Sequence, residues 1–201
     1  MNRLAESVAM APEAPSAVWL GVRGAGIVVA GSALIAVCAH AAIPLWFTPV
    51  PVTLQPFAVL LLGLLLGPRM ALGSTAAYLV EGAAGLPVFT PQGPGGTLQL
   101  FGATGGYLMS YPFVAALVSS VYRRLRVRNF GTAMISAAAG NLLILAAGAV
   151  WMATVLHQHF IHVLSLSVVP FLPGDALKVC AAAAIATGWL RVRKIEEKVG
   201  R

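Results

Sequence analysis

The chain has 201 residues, of which 59% are hydrophobic and only 9% charged, with a net charge of +7; its mean hydropathy is +0.86. Soluble domains carry about 25% charged residues, so too little polar side chain is present to cover a water-exposed globule, and an integral membrane protein is implied. The positive charge does not point to nucleic acid, because the basic residues gather at the ends of apolar runs instead of along a polar face.

In chain order, residues 1–17, "MNRLAESVAMAPEAPSA", read as a loosely ordered cytoplasmic arm. The apolar stretch behind it is too long for a signal-peptide core, so no cleavage is expected. A bilayer core of about 30 Å takes roughly 20 apolar residues per helix, and shorter helices are tolerated inside a bundle. Six segments qualify: about 25–47, a short one at 54–67, then 70–86, 103–122, 132–156 and 170–190. The tight "GPRM" turn makes the second and third segments antiparallel neighbours. Residues 87–101, "PVFTPQGPGGTLQLF", form instead a long Pro/Gly-rich connection, of the kind that is either functional or disordered.

Loops rich in Lys and Arg stay on the cytoplasmic side. With the N-terminus inside, Arg3 and Arg23, Arg69, the run Arg123, Arg124, Arg126 and Arg128, and the tail of Arg191, Arg193, Lys194, Lys198 and Arg201 all fall inside. The outer connections, about 48–53, 87–102 and 157–169, hold no Lys or Arg. This pattern predicts an all-α membrane protein of six transmembrane helices with both termini cytoplasmic. A single membrane domain spans 18–191, followed by a basic tail at 192–201.

The exception is Lys178, in "LPGDALKV" at the outer end of the sixth segment. Asp175 after Pro-Gly suits a helix start, where a carboxylate meets free N–H groups and the positive end of the dipole. Lys178 faces that same end, and about 2.5–3.5 kcal/mol opposes a Lys at the centre of a membrane helix. Spacing i, i+3 puts both side chains on one face, where they can pair. A buried pair seldom stabilises against an apolar alternative, so the two are read as a binding site for a polar, non-bulky solute.

Other polar residues reach the same level. Thr53 and Gln55 stand at the outer start of the second segment, and Thr104, Gly105, Gly106 and Tyr107 at that of the fourth. Glycines there either admit a ligand to the backbone or serve close helix packing. Glu81, about one turn from the outer end of the third segment, lines the cavity or reaches the surface. Asn141 reads as an interhelical hydrogen-bonding residue. Cys38 and Cys180 read as small apolar residues, and His157, His159 and His162 as solvated or interfacial. No metal spacing is present, and no cofactor is expected.

"PVPVTLQPFAVLLLGLLLGPRMA", "YLVEGAAGLPVF", "GPGGTLQLFGATGGYL" and "LPGDALKV" occur in family order and together resemble the BioY family, the biotin-specific substrate-binding (S) components of energy-coupling factor (ECF) transporters. Ala103 stands where that family commonly has Pro, and Glu81 where an apolar or small residue is expected. The resemblance implies an ECF S-component bundle in the cytoplasmic (inner) membrane that binds biotin with high affinity from outside. Uptake would require a T component and two ATPase subunits, consistent with the lack of a G-x-x-x-x-G-K-[ST] phosphate loop in this chain. It is not expected to be an enzyme.

The resemblance carries Asp175 and Lys178 as substrate contacts. Asp175 can accept from the ureido N–H groups while Lys178 donates to the ureido carbonyl, or Lys178 can meet the carboxylate. Backbone of the loop from Gly93 to Thr97, including Gly95 and Gly96, is a candidate for the carboxylate. Gly26, Ala30 and Ala33, at helical spacing in the first segment, are the expected docking face for the T component, although packing inside the bundle accounts for them too. A homo-oligomer is left open. The alternatives are an S component for another vitamin, such as thiamine or riboflavin, and a self-sufficient secondary transporter.

Overall fold

The computed structural model describes residues 17–199. The expected arm up to residue 16 and the last two residues of the tail, with Arg3 and Arg201, lie outside the described residues. Helix α1 covers Ala17–His40; a two-residue strand β1, Ala42–Ile43, pairs antiparallel with β2, Val52–Thr53, in the register Ala42 to Thr53 and Ile43 to Val52. Then follow α2 (Gln55–Leu65), α3 (Pro68–Ala83), α4 (Gly96–Phe101), α5 (Gly105–Arg124), α6 (Phe130–Leu156), α7 (Phe160–Ser167), a 3-10 turn at Val169–Phe171, and α8 (Leu172–Val199).

Six helices of eleven residues or more therefore occupy the predicted segments among the described residues. Three stretches are long and apolar enough to cross a membrane: Gly21–His40, Phe130–Leu156 and Phe160–Arg193, the last divided into α7 and α8. The fold is thus that of a multi-pass helical membrane protein.

Three boundaries differ from expectation. Helix α1 begins at Ala17, eight residues before the expected start at 25, and stops at His40, seven residues before the expected end at 47. Pro44 disfavours helical backbone in the residue before it, and the His40 imidazole Nδ1 bonds the Ala36 carbonyl at 2.8 Å, closing the last turn. At the other end of the chain, α8 runs on through the expected tail to Val199.

Helix α2 is the hub. Its eleven residues rise only about 16 Å at 1.5 Å per residue. Ala58 to Gly63 and Leu64 are buried, and the helix is surrounded by α1, α5, α6 and α8. Pro56 in its first turn and Pro68 at the start of α3 fit positions where the backbone N–H has no helical partner. The Leu66–Gly67 turn is as tight as predicted, yet α3 lies mainly against α1 and α5 and touches α2 less. Lipid tails are as apolar as leucine, so close contact instead of hydrophobic transfer holds such helices together. Small residues provide it: a Cβ on Gly31 would lie 2.4 Å from Ser74 Oγ, and one on Gly140 would lie 2.4 Å from Val118 Cγ2.

The end of α2 is tied to α5. Ser119 Oγ donates to the Leu66 carbonyl, and Arg123 Nε donates to the same oxygen at 3.3 Å. Helix α6 opens on a capping box, in which Thr132 N–H donates to Asn129 Oδ1 at 2.9 Å and Asn129 N–H donates to Thr132 Oγ1 at 3.0 Å. It ends at His157 in the left-handed conformation, φ 50°.

Candidate functional site

A cleft of about 520 Å³, its open mouth included, lies at the end of the bundle where α2, α5 and α8 begin. Asp175 and Lys178 both line it, 3% and 7% exposed. Lys178 Nζ donates to Asp175 Oδ1 at 2.8 Å, and Asn141 Nδ2 of α6 donates to Asp175 Oδ2 at 3.1 Å. The first turn of α8 holds the carboxylate where the helix dipole favours it. The ammonium has three donors, of which the structure assigns one to Asp175. The group can therefore accept from N–H donors and donate to oxygen at one place, shielded from water, where such interactions are strong.

Thr53 and Gln55 form a second polar wall. Thr53 Oγ1 donates to Gln55 Oε1 at 3.1 Å and receives the Gln55 backbone N–H at 3.3 Å, while Gln55 Nε2 donates to the Tyr78 hydroxyl. The β1–β2 pairing delivers Thr53 to the start of α2, so the short helix begins below the mouth of the cleft with its first side chains facing in. Thr104 and Tyr107 complete the predicted set on the α5 side. Tyr107 Oη donates to the Ser167 carbonyl at 2.8 Å, which ties α5 to the end of α7. Its ring packs where Gly148 has no side chain: a Cβ there would lie 2.2 Å from ring carbons. Val50, Leu108, Ile144, Leu145 and Phe171 supply the apolar part of the wall.

Four predicted site residues lie elsewhere. Glu81 accepts a hydrogen bond from Ser32 Oγ at 2.9 Å, an α1–α3 contact away from the cleft lining. Gly105 sits against backbone, since a Cβ would lie 1.8 Å from the Leu100 carbonyl oxygen. Gly95 and Gly96 have φ of 70° and 58°, a conformation that side chains resist; they shape the entry into α4 and are not among the cleft lining. Gly95 N–H is engaged by Gln99 Oε1 at 3.2 Å. On α1, Gly26, Ala30 and Ala33 share an exposed face. His157 and His159 cap the ends of α6 and α7 and are exposed, as is His162.

Sequence reasoning missed Thr90, Gln99 and Tyr111, all in the cleft wall. Tyr111 lies inside an apolar helix, where nothing in the local pattern separates a lining ring from a packing one. Gln99 carried a usable signal, as the polar residue in the apolar run "TLQLF".

A bundle of apolar helices with a buried ion pair at one wall of a cleft is the architecture of a solute-binding membrane protein. The pattern of the BioY family matches residues 10–195, and the chain belongs to that family. A biotin transporter BioY from Thermotoga maritima is 36% identical over 165 residues, 82% of this chain and 92% of that protein. A probable biotin transporter BioY from Pyrococcus horikoshii is 37% identical over 140 residues, 69% of this chain and 79% of its own length. Among solved structures, the S-component for biotin from an ECF-type ABC transporter superposes with a TM-score of 0.79 at 27% identity, covering 90% of this chain and 95% of that one.

Proposed function

We propose that this protein is the biotin-binding S component of an ECF transporter and takes up biotin across the cytoplasmic membrane. One observation carries the reading: the Asp175–Lys178 pair, buried and charged, lines a cleft at the start of three helices. The biotin ureido group has two N–H donors and one carbonyl acceptor. Asp175 accepts from the former and Lys178 donates to the latter, while Ile144, Leu145 and Phe171 receive the fused rings. The names and structure of its relatives support the same substrate and the same kind of assembly.

In this reading residues 18–191 form one membrane domain of six spans. Its N-terminal arm and basic tail face the cytoplasm, consistent with the absence of Lys and Arg from the connections around the cleft. Energy comes from a T component and two ATPase subunits. The exposed Gly26, Ala30 and Ala33 face of α1 is the docking surface, since small residues let a partner helix approach closely. Two measurements test the proposal. Isothermal titration of the purified protein should show biotin binding that outcompetes thiamine and riboflavin. Uptake by cells should require the ATPase partners and fail on Ala30→Trp, with binding retained. Binding of another vitamin in preference to biotin would reassign the substrate, and uptake without ATPase partners would make the protein a self-sufficient carrier.

A further inference from the structure

Beside the cleft lies a second pocket of about 500 Å³, mouth included, walled by the 49–51, 90–94 and 102–104 connections. The two share Pro51, Thr90, Gln99 and Thr104, whereas Asp175 and Lys178 line only the first. Gln99 is therefore on the boundary between the two chambers, at the side away from the ion pair. It is 1% exposed. Its Oε1 accepts the Gly95 N–H at 3.2 Å, which fixes the orientation of the amide, because only the oxygen can accept. Nε2 is left buried without a hydrogen-bond partner among the described residues. Gly93 packs directly over the amide, since a Cβ there would lie 2.5 Å from Gln99 Cδ.

A buried donor without an acceptor is destabilising, and one on the wall of a cleft is satisfied when a ligand brings an oxygen to it. We infer that Gln99 is a substrate-binding residue whose Nε2–H donates to the carboxylate of the bound solute. This rests on the biotin reading above, and it deepens it: the ureido end occupies the Asp175–Lys178 wall, and the carboxylate end lies at the chamber boundary. The Gly95 N–H is spent on holding the amide, so this part of the loop contributes through Gln99. Gly93 has no side chain because the amide lies against it.

The test is titration of wild type, Gln99→Leu and Gln99→Glu with two ligands, biotin and an analogue ending in methyl in place of the carboxylate. A hydrogen bond to a charged group predicts that Gln99→Leu weakens biotin by about tenfold or more. Gln99→Glu keeps the size and the bond to Gly95 while setting like charges together, and should weaken biotin further. Both variants should bind the methyl analogue within roughly threefold of wild type, which also shows that they are folded. Equal losses for the two ligands, or no loss for biotin, would overturn the role of Gln99 while leaving the biotin reading intact. A wild-type protein that binds no biotin would overturn both.

Discussion

The two ends of the bundle are made by the same apolar helices but joined by different kinds of chain. At the end away from the cleft, α2 meets α3 through Leu66–Gly67 and α5 meets α6 through residues 125–129, with Arg69, Arg123, Arg124, Arg126 and Arg128 gathered around. At the cleft end, residues 41–54, 84–104 and 157–171 make long connections without a single Lys or Arg, and they hold the β1–β2 pair, α4 and α7. The first end is a scaffold, where capping groups satisfy the backbone locally. The second trades that economy for polar side chains that, in the proposed reading, answer to a ligand. Its satisfied bonds, such as Thr53 to Gln55, orient walls, while Gln99 Nε2 and Asn141 Oδ1 have no partner among the described residues.

The contrast breaks first, if it is to break, at the ion pair. Asp175→Asn leaves Lys178 as an uncompensated buried charge and should cost about 3–5 kcal/mol of stability, together with biotin affinity. The double variant Asp175→Asn/Lys178→Met should recover most of that stability in a thermal unfolding assay and still not bind. Recovery of binding in the double variant would make the pair a structural element only. Next comes Asn141→Leu, which removes the donor to Asp175 Oδ2. Roughly tenfold weaker biotin binding is expected for one lost charge-assisted bond, measured by titration, and an unchanged affinity would separate Asn141 from the site.

The scaffold end should respond in stability and not in binding. Asn129→Ala removes the capping box of α6, at a cost of about 1 kcal/mol. The smallest effect is expected for Ser119→Ala, which leaves Arg123 still bonded to the Leu66 carbonyl; about 0.5–1 kcal/mol is expected for the lost bond. Unfolding midpoints measured beside biotin titrations check both. A change in affinity from either variant would show that the two ends are coupled more tightly than the contrast implies.

Much of the architecture was legible because it depends on local properties. The apolar runs and the "GPRM" turn placed α2, α3, α5 and α6 within a few residues. The end of α1 was not, since "CAHAAIPLWF" is apolar on both sides of the break. Pro44, the His40–Ala36 bond and the pairing of Ala42 with Thr53 decide it. The loop around the histidines likewise hid α7, whose Val163 is buried against the rest.

For the candidate site, Asp175 and Lys178 stood out because charge inside a lipid-facing run is costly and conspicuous. Thr53, Gln55, Thr104 and Tyr107 followed from their shared depth at helix starts. Glycine and glutamate were ambiguous for a physical reason: Gly105 serves close approach to Leu100, and Glu81 finds a partner in Ser32, neither of which is encoded nearby in sequence. By itself, then, the sequence determined the membrane as solvent, the number and place of the apolar helices, and the charged pair, because each depends on composition within one segment. Only the tertiary structure decided which polar groups face one cleft, that Asn141 reaches Asp175, and that Gln99 is closed beneath Gly93. Those facts depend on how helices far apart in the chain are brought together, and hydropathy carries no record of it.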